Sequence, residues 1–296
     1  MTDPLDGAPV VLVAGATGGI GSAVVHAYAA RGAHLVLLAR SARLLERLAA
    51  DVAAVPGAPR PQVVVADVTD AAAVEKAVAE AVDVHGRLDV VVHSAAVVAY
   101  GRLTEVPREV WDRVISVGVL GASNVARAAL TVFERQAREG GGGHLVLVGS
   151  VLGRVATPYM GSYVTSKFAV RGLARVLQQE ARRTPGVHVA LVEPGSVDTP
   201  IYVLAGSYTG AVGRPPPPVA RASAVADAVL AVVDGDRLGA SVGLANRVMR
   251  LGFSATPRLY DRLVGPLMRR FGFGRPTPPG PGNVFEPSQD VPPPGC

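Results

Sequence analysis

The sequence predicts an α/β fold: a doubly wound, mostly parallel sheet with helices on both faces, in a single domain with a C-terminal extension. Two observations predict it. Short runs that are β-branched or aliphatic throughout alternate with longer alanine-rich segments whose apolar residues recur at helical spacing. The short runs lack the polar alternation of a half-solvated sheet, so they suit strands covered on both faces. Strand–helix alternation in turn implies βαβ units with right-handed crossovers.

The elements follow in order. VVLVAG (10–15) is the first strand, and AGATGGIG (14–21) turns it into a helix at 19–31. HLVLLA (34–39) is a second strand, followed by a helix at 41–54. VVVAD (63–67) and VVVHSA (90–95) flank a helix at 71–86, and one long helix is expected at 108–138. HLVLVGS (144–150) and VHVALVEP (187–194) flank a helix at 161–183. The stretch 200–220 is too rich in Gly and Pro for a regular element and reads as a loop over the site. A helix at 222–234 and a short strand near 238–243 complete the domain. From Arg247 to Arg275 the chain reads as amphipathic, and the Pro/Gly-rich end, 275–296, as extended or disordered.

Composition narrows the function. Apolar residues make up 49% of the 296 and charged residues 18%, enough for a large core. Cys296 is the single cysteine, which fits a reducing compartment and excludes an internal disulfide framework. His, Cys and acidic residues show no zinc-ligand spacing, so no metal is expected. The N-terminus lacks the basic and apolar regions of a signal peptide, and no uninterrupted apolar run reaches bilayer length. A cytoplasmic protein is the expectation. The net charge is +5, and the segment 247–275 alone carries seven arginines against Asp261. No nucleic-acid motif accompanies this basic stripe. It suits a helix packed on its own domain, or a weak contact with an anionic membrane surface.

Three motifs carry chemistry. In 14–21, Gly15 suits a tight turn, Gly19 lets backbone approach a pyrophosphate, and Gly21 lets helix and strand pack closely. The helix start then offers free N–H groups to phosphate. At the end of the second strand, where an acid would hold a ribose 2′-hydroxyl, stand Ala39 and Arg40. A guanidinium there favours a 2′-phosphate, hence NADP(H). In SYVTSKFAV, Lys167 stands four residues after Tyr163, in a chain with two lysines and twenty-seven arginines. Residues four apart share a helix face, and an ammonium beside a phenol is expected to lower its pKa. Ser150, thirteen residues before Tyr163, ends a buried strand where its hydroxyl can meet a substrate oxygen.

In order and spacing these motifs resemble the short-chain dehydrogenase/reductase family over roughly residues 8–245. The family's glycine-rich turn matches 14–21 with Ala14 in place of threonine, and implies that Thr17 and Ile20 join Gly15, Gly19 and Gly21 at the cofactor. ADV (66–68) looks like the adenine-contacting turn, through Asp67 and the Val68 backbone. HSAA (93–96) stands where the family has Asn-Asn-Ala-Gly, which places Ser94, Ala95 and Ala96 beside the cofactor. EPGSVDTP (193–200) resembles the carboxamide-binding segment, with Pro194, Gly195, Val197 and Thr199. Ser150, Tyr163 and Lys167 map onto the catalytic serine, tyrosine and lysine. The resemblance makes Tyr163 the general acid or base, and has Lys167 hold the nicotinamide ribose. The family's fourth catalytic residue, an asparagine, is replaced by Gly118, and Asn124 lies too far along the helix to substitute.

These readings converge on a Rossmann-type NADPH-dependent ketoreductase. Residues 1–245 form the NADP-binding catalytic domain, with a substrate loop near 200–220. Residues 246–296 form a basic helical segment and tail. Tyr202, Leu204 and Tyr208 in the loop point to a small hydrophobic carbonyl or alcohol substrate. The resemblance implies a homodimer or homotetramer. Three alternatives stand beside this: a redox-neutral enzyme prompted by Gly118, a non-catalytic dinucleotide-binding protein, and a membrane-surface enzyme acting on lipid.

Overall fold

The structure, a computed structural model, describes residues 7–288, so residues 1–6 and 289–296, with Cys296, lie outside the described residues. Strands β1 (Val10–Ala14), β2 (His34–Ala39), β3 (Gln62–Val65) and β4 (Val90–His93) alternate with helices α1 (Gly19–Ala29), α2 (Ala42–Ala53) and α3 (Ala71–His85). After a two-residue strand β5 (Ala99–Tyr100) come α4 (Arg108–Ile115) and α5 (Gly121–Arg138), then β6 (Gly143–Val148), α6 (Gly161–Ala181) and β7 (Val187–Pro194). Short strands β8 (Gly206–Ser207) and β9 (Ala211–Gly213) precede α7 (Ala222–Asp234) and β10 (Gly239–Val242). Helices α8 (Asn246–Ala255) and α9 (Pro257–Phe271) and strand β11 (Phe273–Pro276) follow.

Seven strands form one parallel sheet in the order β10-β7-β6-β4-β1-β2-β3. Strand periodicity divides its side chains between two cores. Val11, Val13, Val90 and Val92 face the layer of α1, α2 and α7, while Leu12 and Val91 face the opposite layer with α3 and α5. Both layers are apolar, which explains the unbroken hydrophobic runs. Strand order reverses between β1 and β4, and the crevice beyond their carboxyl ends is the natural ligand site.

The structure departs from the expected elements in three places. The helix expected at 108–138 is interrupted by a π-helical turn, Ser116–Leu120, that holds Gly118. By length and composition this whole run is able to cross a membrane, yet half of its most apolar stretch is buried, as a core helix is. The 200–220 loop contains strands invisible to local patterning, because β8 pairs with β5 and β9 with β11, both distant in sequence. The amphipathic stretch 247–275 becomes two helices, broken at Thr256 where Pro257 opens α9.

Candidate active site

The glycine turn shapes one wall of the switch-point cleft. Gly15 adopts φ 83°, and a Cβ there would stand 2.5 Å from the Ala95 nitrogen. A Cβ on Gly21 would meet the Gly15 carbonyl oxygen at 2.1 Å, and one on Gly19 the Thr199 side chain at 2.6 Å. Each position therefore excludes any larger residue. No side chain caps the start of α1 and its first turn holds no acid, so its N–H groups face the cleft. Ser94 ties the turn down, donating from its hydroxyl to the carbonyls of Ala14 (3.2 Å) and Gly15 (3.3 Å). The resulting cavity of about 210 Å³ is lined by glycines at the start of α1 and by residues that follow the ends of the strands. The residues named from sequence all line it: Gly15, Thr17, Gly19, Ile20, Gly21, Arg40, Asp67, Val68, Ser94, Ala95 and Ala96 on one side. Ser150, Tyr163, Lys167, Pro194, Gly195, Val197 and Thr199 line the other.

At the far end of the cleft, Asp67 accepts from the Thr69 N–H (2.9 Å) and hydroxyl (2.8 Å) and pairs with Arg113. Burial works to raise the Asp67 pKa, but these donors outweigh it and hold the carboxyl below its ordinary value. Asn124, which does not face the Gly118 side, donates to the Val68 carbonyl (3.0 Å) and so fixes the same turn. Arg113, and the part that Asn124 plays here, escaped the sequence reading because their partners lie 46 and 56 residues away.

Arg40 stands at the cleft, but its fork is already engaged. It donates to the carbonyls of Asn283 (2.9 Å), Val284 (3.3 Å) and Phe285 (2.8 Å). Thus the tail, expected to be extended or disordered, is ordered through its described part, 275–288. Its first residues form part of β11, Gly280 exchanges two backbone hydrogen bonds with Ser207, and Val284 is fully buried. Composition misleads here because a Pro-rich strand loses donors but keeps every carbonyl, and the two arginines Arg40 and Arg113 supply the donors. Burying a valine adds about 1.5–3 kcal/mol to that anchorage.

Ser150, Tyr163 and Lys167, the three residues expected to be catalytic, meet at the strand ends. Ser150 follows β6, accepts from the Leu152 N–H (3.1 Å), and lies within hydrogen-bonding reach of the Tyr163 hydroxyl. Lys167 is buried on α6, donates to the Val148 carbonyl (2.8 Å), and sits 5.5 Å from the centre of the Tyr163 ring. The expected lowering of the Tyr163 pKa by this ammonium is not what the geometry produces. Burial pushes the phenol upward and neighbouring Tyr202 adds to it, against a smaller lowering by Ser150. The ammonium is turned to the Val148 carbonyl, and burial lowers Lys167 itself to about 8. His93, at the end of β4, is likewise buried and held neutral, at a pKa of about 3, by burial and the nearby Lys167 charge.

Gly118, which stands where the family has its fourth catalytic residue, lies against α6. A Cβ there would lie 2.7 Å from the Ser166 Cβ, so α6 fills that space. Beyond Ser150 and Tyr163 opens a second cavity of about 460 Å³, lined among the described residues without a single charged side chain. Of the loop residues expected to contact substrate, Tyr202 lines both cavities, Leu204 lines only the switch-point cleft and Tyr208 packs beside Gly101. The outer wall comes from α8 and α9, which sequence had not assigned to the site. Their signal was present, since Leu259, Leu263 and Leu267 recur every four residues. Buried Asn246 stitches these helices to the sheet, donating to the carbonyls of Glu193 (3.3 Å) and Val242 (3.1 Å).

Away from the cleft, at the amino ends of β6 and β7, His144 and His188 stack at 4.6 Å and Asp236 joins them. Their ligand atoms lie within 4.8 Å of one another, a cluster that strand register creates and linear spacing conceals.

The sequence pattern of the short chain dehydrogenases matches residues 9–206. The chain belongs to the short-chain dehydrogenase/reductase family. A family relative, dehydrogenase/reductase SDR family member 4 of Bos taurus, is 33% identical over 202 residues, 67% of this chain and 68% of that protein. An alcohol dehydrogenase from Thermococcus sibiricus, solved with 5-hydroxy-NADP, superposes with a TM-score of 0.68 at 29% identity, covering 80% of this chain and 96% of that one. A short-chain dehydrogenase from Burkholderia cenocepacia in complex with NADP gives 0.71 at 26% identity, over 88% and 98% of the two chains. This family member is therefore an oxidoreductase with a nicotinamide-dinucleotide fold. Helices α7–α9 and the tail lie beyond the matched pattern.

Proposed function

We propose that the protein is an NADPH-dependent reductase interconverting a ketone and a secondary alcohol on a hydrophobic substrate. One observation carries this: Ser150 and Tyr163 line both the cofactor cleft and the apolar chamber, at the seam where the two meet. A carbonyl reaching that seam from the chamber meets two hydroxyls on one side and the cleft on the other. NADPH, when bound, supplies the hydride. Ser150 orients the carbonyl oxygen by hydrogen bonding, and Tyr163 gives it a proton. Lys167 recharges this route, because an amine with a pKa lowered to about 8 exchanges protons readily near neutral pH. The high pKa of Tyr163 suits proton donation; in the reverse direction the phenol must already be deprotonated, so that its oxygen can accept the proton of the alcohol hydroxyl.

Ala39 at the end of β2 puts no carboxylate against a 2′-phosphate, and Arg40 lines the same end of the cleft. The NADP complexes of structural relatives support the same nucleotide. We place the enzyme in the cytoplasm as a homodimer or homotetramer, in line with its family. Titrating the protein with NADPH and NADH, then assaying a ketone panel, tests the reading. Tighter NADPH binding and reduction of apolar ketones are expected. A folded protein that binds NADPH and reduces no ketone would overturn it.

A further inference from the structure

The chamber has an unusual rim. On α9, Leu259, Leu263 and Leu267 line the cavity and yet are 54%, 50% and 51% exposed. Spaced four apart, they form one stripe that Phe271 extends. On α8, Val248 does the same at 73% exposure, and Leu251 and the preceding Leu244 continue the apolar surface outward. The inside of the chamber is thus continuous with an exposed apolar face. Scattered surface leucines are ordinary, but a contiguous patch at a cavity mouth marks an interaction site.

Charge identifies the partner. The segment carrying this face holds seven arginines and a single acid, Asp261, a net +6 that exceeds the whole chain's +5. Arg258 and Arg262, exposed and each immediately before a stripe leucine, form no ion pair among the described residues. A second copy of the chain is a poor cover, because a two-fold interface would set one +6 surface against another. An anionic lipid surface answers both features, taking the leucines into its acyl boundary and the arginines at its headgroups.

We propose that α8 and α9 dock on an anionic lipid surface and seat the chamber mouth in it. The substrate is then a ketone on a long, uncharged apolar chain, drawn from the bilayer into a cavity that has no charged lining. The docking stands on this face alone, whereas the substrate class rests on the reductase reading.

Vesicles of phosphatidylglycerol with phosphatidylcholine, against phosphatidylcholine alone, test the docking by co-sedimentation of the full chain without turnover. Binding to the anionic vesicles only, fading with added salt, is expected. Arg258→Gln with Arg262→Gln should weaken it about 25-fold, at roughly fivefold for each arginine. Reduction of a short water-soluble ketone should stay unchanged in that variant, since neither arginine lines either cavity. Leu244→Ser with Leu251→Ser should also weaken binding, but leave its salt dependence intact. Full chain that ignores anionic vesicles, or binds them equally after both arginines are replaced, overturns the docking. So does a dimer that dissociates on Leu251→Ser, which would make the face a subunit contact. For the substrate class, a long-chain ketone should be reduced faster from anionic vesicles than from neutral ones, and the arginine pair should abolish the difference. Vesicle binding with no ketone reduced would instead sink the reductase reading and leave the docking standing.

Discussion

Replacing Lys167 by methionine separates the two things this residue does. The side chain is 4% exposed, and burial lowers its pKa from 10.5 to about 8. Because the folded value lies below the unfolded one, the unfolded chain holds more protons between the two, and stability rises with pH through that window. Below pH 8 the burden is fully present, at roughly 3 kcal/mol for a shift of this size. Methionine removes the charge and keeps most of the volume, but leaves the Val148 carbonyl without its donor, a loss of about 1–3 kcal/mol. Near pH 7 the variant should therefore equal the native protein in stability or exceed it by up to about 2 kcal/mol. In the native protein, moving from about pH 7 to about pH 9.5 should add roughly 2 kcal/mol, and in the variant that gain should vanish. Turnover should fall by about 10²–10⁴, the usual contribution of a proton-transfer group. Urea unfolding followed by circular dichroism at the two pH values, with ketone-reduction rates alongside, measures all three. A variant several kcal/mol less stable near pH 7, with the native pH slope retained, would refute the argument that Lys167 is an electrostatic burden kept for chemistry.

Tyr163→Phe should abolish reduction while NADPH still binds, because the ring is kept and only the proton donor is lost; near-normal rates on the true substrate would exclude Tyr163 as the acid. Arg40→Ala should weaken NADPH about ten- to a hundredfold, the loss of roughly 1.5–3 kcal/mol from a charge-assisted bond, with NADH little changed. Calorimetric titration of both nucleotides decides it, and equal losses would show that Arg40 serves only to hold the tail carbonyls. Gly118→Asn should destabilise the fold by about 1–3 kcal/mol, since its Cβ overlaps Ser166. Ser166→Gly in the same chain should recover most of that loss, and a double-mutant cycle without coupling would contradict the steric account.

The sequence by itself determined the sheet and named residues that line one cleft at its switch point. Unbroken apolar runs report strands covered on both faces, and the glycines at 15, 19 and 21 report close backbone approach; both are local demands, legible wherever they occur. Tyr163 and Lys167 were legible for the same reason, since one helix turn puts them on one face. Only the tertiary structure decided what surrounds them. Whether Tyr163 rises or falls in pKa depends on its burial, on neighbouring Tyr202 and on the direction of the Lys167 ammonium, and helical spacing specifies none of these. Why position 118 carries glycine is likewise settled by a distant neighbour, since α6 places Ser166 against it. The tail read as extended or disordered because its own residues supply few donors, and the donors that order it, on Arg40 and Arg113, come from 243 to 245 and 171 residues away. Helices α8 and α9 carried a visible leucine stripe, but amphipathic spacing gives a face and not its neighbour. That the face closes a chamber over Ser150 and Tyr163 follows from Asn246, whose buried amide binds the ends of β7 and β10 and so aims both helices at the site.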